Sequence, residues 1–107
     1  MESSKLSQLR KGSLEMAVLS LLAQKRMYGY QITQRLAALK ILVVHGTLYP
    51  LLSRLTREGM LSYEWVESPE GPPRKYYRIT PRGQTALEQL KKEWQLLSNA
   101  IEQITTQ

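Results

Sequence analysis

Residues 46–83 carry the clearest structural signal in this chain of 107 residues. They begin with GTLYPLLSRLTREGML (residues 46–61) and, after a polar stretch, end with GPPRKYYRITPRG (residues 71–83). A short amphipathic run, a glycine stop, two runs of β-forming residues and a proline-started helix follow one another without spare residues. This order predicts a winged helix-turn-helix, an α+β fold that is mostly α.

The first part of the segment has the spacing of a helix with one apolar face. Leucines recur at i, i+3, i+4 and i+7, at Leu48, Leu51, Leu52 and Leu55. Such a stripe packs against a core. Gly59 then suits the left-handed position that ends many helices. The sequence therefore predicts a buried helix face followed by a sharp stop.

The opposite face of this helix carries small, hydrogen-bonding and cationic residues, which suit a helix pressed into a DNA major groove. Taken alone, the face is equally compatible with an ordinary solvated surface. The candidate DNA-contacting residues on it and on its flanks are Gly46, Thr47, Tyr49, Pro50, Ser53, Arg54 and Arg57.

The following segment favours the DNA-binding interpretation. Residues 61–67 and 75–79 alternate apolar and polar residues, which predicts two strands. Residues 68–73 are dense in turn formers. Arg74 and Lys75 flank this turn, where a wing can place cations against phosphates or in a minor groove. A plain surface hairpin kept soluble by its cations is the alternative.

The motifs, taken in this order, resemble the PadR family of bacterial transcriptional regulators. The resemblance rests on residues 46–55 and 71–83, on REGML at 57–61, and on KGSLEMAVLSLL (11–22) and MYGYQITQRL (27–36). It implies a homodimeric winged-helix regulator, commonly a repressor, with a helical dimerisation region after the wing. A single helix after the wing resembles the short subgroup of that family.

The amino-terminal third is expected to form the platform for the recognition helix. Ser13 is a candidate N-cap of a first helix. Residues 28–30 suggest a tight turn, after which Tyr30 and Gln31 stand near the start of a second helix, where a phosphate can be contacted. The apolar face of that second helix is predicted at Ile32, Leu36 and Leu39.

The approach to the recognition helix departs from the family pattern. Residues 41–44 read ILVV, where a polar segment with a serine cap is expected. Val43 and Val44 favour a brief strand pairing with the wing. The helix then begins with Thr47 as its cap, or near Val44 without one. His45, the only histidine, has two interpretations, a contact with a base or phosphate and a solvated loop residue, of which the second is favoured. No metal site is predicted around it.

The last segment predicts a long helix with an apolar seam. Thr80 and Pro81 form an N-cap followed by proline at the first helical position. The apolar residues after them are spaced 3, 4, 3, 4 and 3, as in a coiled-coil seam. These predicted dimerisation residues are Leu87, Leu90, Trp94, Leu97, Ile101 and Ile104. We therefore divide the chain into a DNA-binding module (1–80) and a dimerisation helix (81–107).

Trp94 lies in the middle of this seam and has two interpretations. The favoured one is an interface anchor, because tryptophan is frequent among the residues that dominate interface energetics. The family resemblance implies the other, in which two facing tryptophans stack on a planar aromatic small molecule. Trp94 is therefore the candidate effector-binding residue.

Composition narrows the function classes. The net charge of +6 is uneven, since residues 1–82 hold thirteen Lys or Arg against six Glu, while residues 83–107 hold two Lys against three Glu. A basic module of this kind suits double-stranded DNA. The chain has no Cys and no Asp, which argues against thiolate, disulfide and Ser-His-Asp chemistry. No enzyme activity, cofactor or membrane span is predicted, and a cytoplasmic location is expected. A winged-helix adaptor that uses its basic surface for protein contacts remains the alternative.

Overall fold

A computed structural model describes residues 4–41 and 43–106, apart from the side chains of Ser4, Leu6 and Ser7. Its elements, in chain order, are α1 (Ser4–Gln24), β1 (Met27–Tyr28), α2 (Gly29–Ala38), α3 (His45–Arg57), β2 (Leu61–Ser68), β3 (Gly71–Ile79) and α4 (Pro81–Thr105). The strands form an antiparallel sheet in the order β1-β3-β2. The predicted mostly helical winged helix-turn-helix with a long final helix is confirmed.

The leucine stripe of α3 packs into the centre of the core. Leu48, Leu52 and Leu55 are fully buried, and Leu51 is half-buried against the same cluster. The cluster also contains apolar residues of α1, α2, the sheet and the first turns of α4. Because both ends of the stripe are buried, the opposite face of α3 is held outward.

The first helix is longer than the sequence suggested. It begins at Ser4, so Ser13 lies inside it and does not cap its start. The Ser13 hydroxyl donates to the carbonyl oxygens of Leu9 and Arg10, at 3.3 and 3.1 Å. This back-bonding within the preceding turn is a common way for a mid-helix serine to satisfy its hydroxyl. The prediction of an N-cap at Ser13 was wrong.

The third strand comes from a different segment than predicted. Met27 and Tyr28 pair with Tyr77 and Tyr76 of β3, immediately before α2 begins at Gly29. The predicted tight turn at residues 28–30 was therefore wrong. The predicted strand at residues 43 and 44 was also wrong, since this segment leads directly into α3.

The start of α3 has no side-chain cap. Val44 is its N-cap residue, with an extended backbone and no side-chain hydrogen bond to the helix. The backbone amide of Thr47 donates to the Val44 carbonyl at 2.9 Å, so Thr47 lies within the first turn. Of the two predicted starts, the uncapped one near Val44 is confirmed. At the end of α2, Leu39 is exposed, so its predicted place on the buried face was wrong.

The hairpin is longer than its alternating residues indicated. Pro72 and Pro73, predicted in the turn, lie within β3. The pairing register with β2 shifts at this point, between the Val66 and Ser68 positions of β2. Proline is tolerated there because β1 pairs only with Tyr76 and Tyr77 on the other side of β3. The wing is therefore an extended ribbon, and in its far half neither β2 nor β3 has a further described strand paired to its outer edge.

The last helix is fixed at its start and free along most of its length. The Thr80 hydroxyl accepts a hydrogen bond from the Gly83 amide at 3.0 Å, which confirms the predicted N-cap. A helix of 25 residues is about 37 Å long. Leu87 is buried in the core, whereas most residues beyond Leu90 are exposed. The second half of α4 therefore projects from the domain.

Candidate nucleic-acid interface

The outward face of α3 is exposed and contains the predicted small and polar residues. Gly46, Pro50, Ser53 and Arg57 are all exposed. A Cβ atom built on Gly46 would meet no other atom within 4 Å. The fold therefore does not require glycine at this position, and the small side chain leaves room for something outside the chain.

Tyr49 lies at the edge of this face and is packed against the start of α2. A Cβ atom built on Gly29 would lie 2.7 Å from two carbons of the Tyr49 ring. The imidazole of His45 meets the same ring edge-on, with 5.3 Å between ring centroids. Tyr49 still exposes 41% of its surface. It is thus held in place by Gly29 and His45 while one side of the ring faces solvent.

Arg54 makes ion pairs within its own chain. Its guanidinium donates to Glu15 of α1 at 2.7 Å and to Glu58 at 3.1 Å. The hydrogen bond that Arg54 donates to Glu15, and then the one to Glu58, raise the pKa of Arg54 above its ordinary value. Since Glu15 is on a different helix, Arg54 joins the recognition helix to α1. The predicted contact with DNA would therefore require the guanidinium to bind a DNA group as well as to keep its ion pair with Glu15.

The two cations of the wing are folded back towards the body of the domain. The Arg74 guanidinium carbon lies 4.6 Å from the centre of the Tyr28 ring. The Lys75 ammonium lies 4.0 Å from the centre of the Tyr63 ring and also approaches Trp65 and Tyr77. Both cations therefore stand on aromatic faces beside the hairpin, away from its tip at residues 69 and 70.

A cleft separates the wing from α3 and the start of α2. Its volume is about 420 Å³. It is lined by Tyr28, Gly29, Tyr49, Ser53, Trp65, Arg74, Lys75 and Tyr77. None of these described lining residues is acidic. The structure thus brings Tyr49 and Ser53 of the recognition helix together with Arg74 and Lys75 of the wing. The sequence did not indicate that Trp65 would join them.

The opposite face of the wing has a different charge arrangement. Glu64 accepts hydrogen bonds from Arg78 at 2.6 Å and from Arg26 at 2.5 Å. These bonds, that from Arg78 first, lower the pKa of Glu64 below its ordinary value. The two arginines are partly neutralised by this carboxylate, whereas none of the described residues that line the cleft is acidic. No local pattern in the sequence relates Arg26 to Glu64, 38 residues away.

The two predicted DNA-contacting residues at the start of α2, Tyr30 and Gln31, differ in whether their polar groups are free to contact DNA. The Gln31 side-chain oxygen accepts a hydrogen bond from the Tyr28 amide at 3.2 Å, so it stabilises the start of the helix. Tyr30 is exposed, and its hydroxyl accepts a hydrogen bond from Gln34 at 3.0 Å. Tyr30 can therefore reach an external group, whereas the Gln31 oxygen already has a partner.

The apolar seam of α4 has one part that packs on the core and one part that is exposed. Leu87 is only 6% exposed, and Leu90 is half-buried against the same core cluster. Both therefore pack within their own chain, and their place in a dimer interface stays a prediction. The four remaining seam residues expose 48–70% of their surface. They are Trp94, Leu97, Ile101 and Ile104.

Two further properties bear on the class of protein. In the part of the chain that the structure describes, no helix is long and apolar enough to cross a membrane. Within the same residues, no group of three His, Cys, Asp or Glu side chains is placed to hold a metal ion.

Comparisons with known proteins identify the family. Residues 18–89 match the transcriptional regulator PadR-like family. Transcriptional regulator Rv3488 of Mycobacterium tuberculosis is 30% identical over 94 residues, which cover 88% of this chain and 87% of that protein. A PadR-like transcription factor from Bacteroides fragilis is 45% identical, with a TM-score of 0.81 over 95% of this chain and 99% of that chain. A PadR family regulator from Eggerthella lenta is 38% identical, with a TM-score of 0.87 over 94% and 88% of the two chains. The family match spans most of the winged helix and the start of α4, and this chain therefore belongs to the PadR-like family of DNA-binding transcriptional regulators.

Proposed function

We propose that this chain is a sequence-specific regulator that reads a palindromic DNA site as a homodimer. The observation that carries the proposal is the exposed face of α3, whose Gly46, Pro50, Ser53 and Arg57 stand beside a cationic cleft. Small side chains let a helix approach base edges, and Ser and Arg can hydrogen-bond to them. Arg74 and Lys75 would neutralise backbone phosphates on the same side. In this arrangement α3 specifies the sequence and the wing positions the protein.

The homodimer is supported by the second half of α4. Trp94, Leu97, Ile101 and Ile104 lie on one side of the helix at heptad spacing and are about half exposed or more. An exposed apolar row of this length is characteristic of an interaction surface. A second copy has the same row, and a two-fold axis through it makes the surface self-complementary. Two recognition helices could then enter successive major grooves about 34 Å apart.

Regulation by a small molecule is the third part of the proposal. Trp94 is 48% exposed in the middle of the row, where it would anchor the interface. A planar aromatic molecule stacked between two such indoles would change the separation of the recognition helices. If the ligand favours a dimer whose spacing no longer matches the operator, the chain acts as a ligand-released repressor.

The test is binding to the DNA immediately upstream of the protein's own gene. Fluorescence anisotropy would be measured at several salt concentrations, with unrelated DNA as competitor. We expect binding that survives the competitor and saturates at two chains per site. Planar aromatic compounds would then be screened for release of the bound DNA.

A different binding result would favour the alternative function, a winged-helix adaptor. Weak binding that the competitor abolishes, at this site and with duplexes selected from a random-sequence library, would reject sequence-specific readout. The basic surface would then be assigned to protein contacts, as in a winged-helix adaptor.

A further inference from the structure

We infer that the cleft between α3 and the wing holds one strand of the DNA backbone, and that Trp65 packs on its deoxyribose rings. This inference rests on the proposed function and assigns a role to a residue outside the sequence-predicted set. It separates two kinds of readout. The outward face of α3 contacts bases, whereas the cleft contacts sugar and phosphate.

The first argument is the exposure of aromatic rings at the cleft. Trp65 exposes 64% of its surface although Tyr63 meets its indole edge-on, with 6.5 Å between ring centroids. Tyr49 faces the cleft from α3 and is also partly exposed. Single exposed apolar residues are common on proteins. Several aromatic rings around one concave surface are characteristic of a binding site.

The second argument is the alternation of charge with apolar surface. The Lys75 ammonium stands 5.8 Å from the centre of the Trp65 ring and 5.6 Å from that of Tyr77. Arg74 lies at the same cleft, over Tyr28. A DNA strand alternates anionic phosphates with deoxyribose rings whose C–H groups are apolar. Cations next to aromatic faces match that alternation, because the cations contact phosphates while the rings cover sugars.

The third argument is the position of the cleft next to the recognition helix. Ser53, at the border between the outward face of α3 and the cleft, and Tyr49 both line the cleft, while Pro50 is exposed on the outward side. A helix in a major groove has the sugar–phosphate strands on either side of it. One strand is thereby brought to the cleft when α3 enters the groove.

The consequence is a residue that contributes affinity without sequence preference or charge. Replacing Trp65 should weaken binding to every duplex by the same factor. The salt dependence should not change, because an indole releases no counterion. Arg74→Ala, in contrast, should reduce the slope of log K against log salt by about 0.9.

The experiment compares Trp65→Ala and Trp65→Phe with the unmodified chain. Two duplexes would be used, one selected by the unmodified chain from a random-sequence library and one with the same bases scrambled. We expect Trp65→Ala to bind both about tenfold more weakly, with an unchanged salt slope. Trp65→Phe keeps a ring that can cover a sugar and should recover most of the affinity. Since Trp65 is exposed, both variants should unfold at about the temperature of the unmodified chain.

Hydroxyl-radical footprinting at saturating protein gives the direct readout, because the radical cuts where deoxyribose is accessible. We expect the unmodified chain to protect sugars in each half-site and Trp65→Ala to lose part of that protection. Protection of guanine N7 by α3 should persist in the variant. Unchanged sugar protection, or a change in which sequence is preferred, would overturn this inference alone. Failure of the unmodified chain to select any duplex would overturn the proposed function and this inference together.

Discussion

Gly83 packs directly on the carbonyl oxygen of Met60. A Cβ atom at position 83 would collide with this oxygen and would lie 2.7 Å from the side chain of Ile79. The same glycine donates its amide to the Thr80 hydroxyl at 3.0 Å. The close approach joins the first turn of α4 to the connection between α3 and β2 and to the end of β3, so it sets where the long helix leaves the domain.

Gly83→Ala is therefore expected to destabilise the protein. The obstructing atom belongs to the backbone and cannot rotate away, so the cost should be about 1–3 kcal/mol, as for other overpacked sites. Thermal and urea unfolding would measure it. The matched control is Gly12→Ala, since a Cβ atom at Gly12 within α1 meets nothing within 4 Å. That change should leave stability unaltered or raise it by up to about 1 kcal/mol. Equal effects of the two substitutions would contradict the packing argument.

The ion pairs of Glu64 should make the stability of the folded chain sensitive to acid. Its hydrogen bonds from Arg78 and Arg26 lower its pKa below the ordinary value of 4.5. The folded form therefore binds this proton less readily than the unfolded chain does. The contribution to stability is complete above about pH 4.5 and is lost as the pH falls towards the lowered value. The unmodified chain should lose more thermal stability than Glu64→Gln between about pH 6 and about pH 3. If the melting temperatures of the two proteins fall equally over this pH range, the carboxylate has no such role.

Gly46 allows stability and DNA affinity to be separated. The space around its Cβ position is open, so Gly46→Ala should fold at least as stably as the unmodified chain. If α3 is pressed into a major groove, the added methyl group should weaken binding to the preferred duplex by about tenfold, or about 1.4 kcal/mol. Anisotropy titrations would measure this loss, with Gly12→Ala as the control that should bind normally. Normal binding by Gly46→Ala would place the groove contact elsewhere on α3.

The sequence predicted those features that depend on local spacing. The leucines of α3 and the Thr80 cap follow from the geometry of a single helix, and both are confirmed. The pairing of residues 27 and 28 with β3 could not be predicted, because two residues carry no periodicity. The Arg54–Glu15 ion pair and the cleft at Trp65 depend on how elements pack, which no local pattern records. Site prediction was thus better for the faces of helices than for the spaces between elements.

Trp94→Glu tests the proposed dimer. Trp94 is about half exposed and lies beyond the part of α4 that packs on the core, so the substitution should leave the domain folded. A carboxylate in the middle of the apolar row would lose its water in the dimer without a partner, which should drive the chain to the monomer. Sedimentation velocity would measure the mass, and circular dichroism would confirm the fold. Asn99→Glu introduces the same charge at an exposed position on the other side of α4 and should remain dimeric. A folded Trp94→Glu dimer would move the interface away from this row. If both variants are monomeric, the added charge and not the position of Trp94 is responsible.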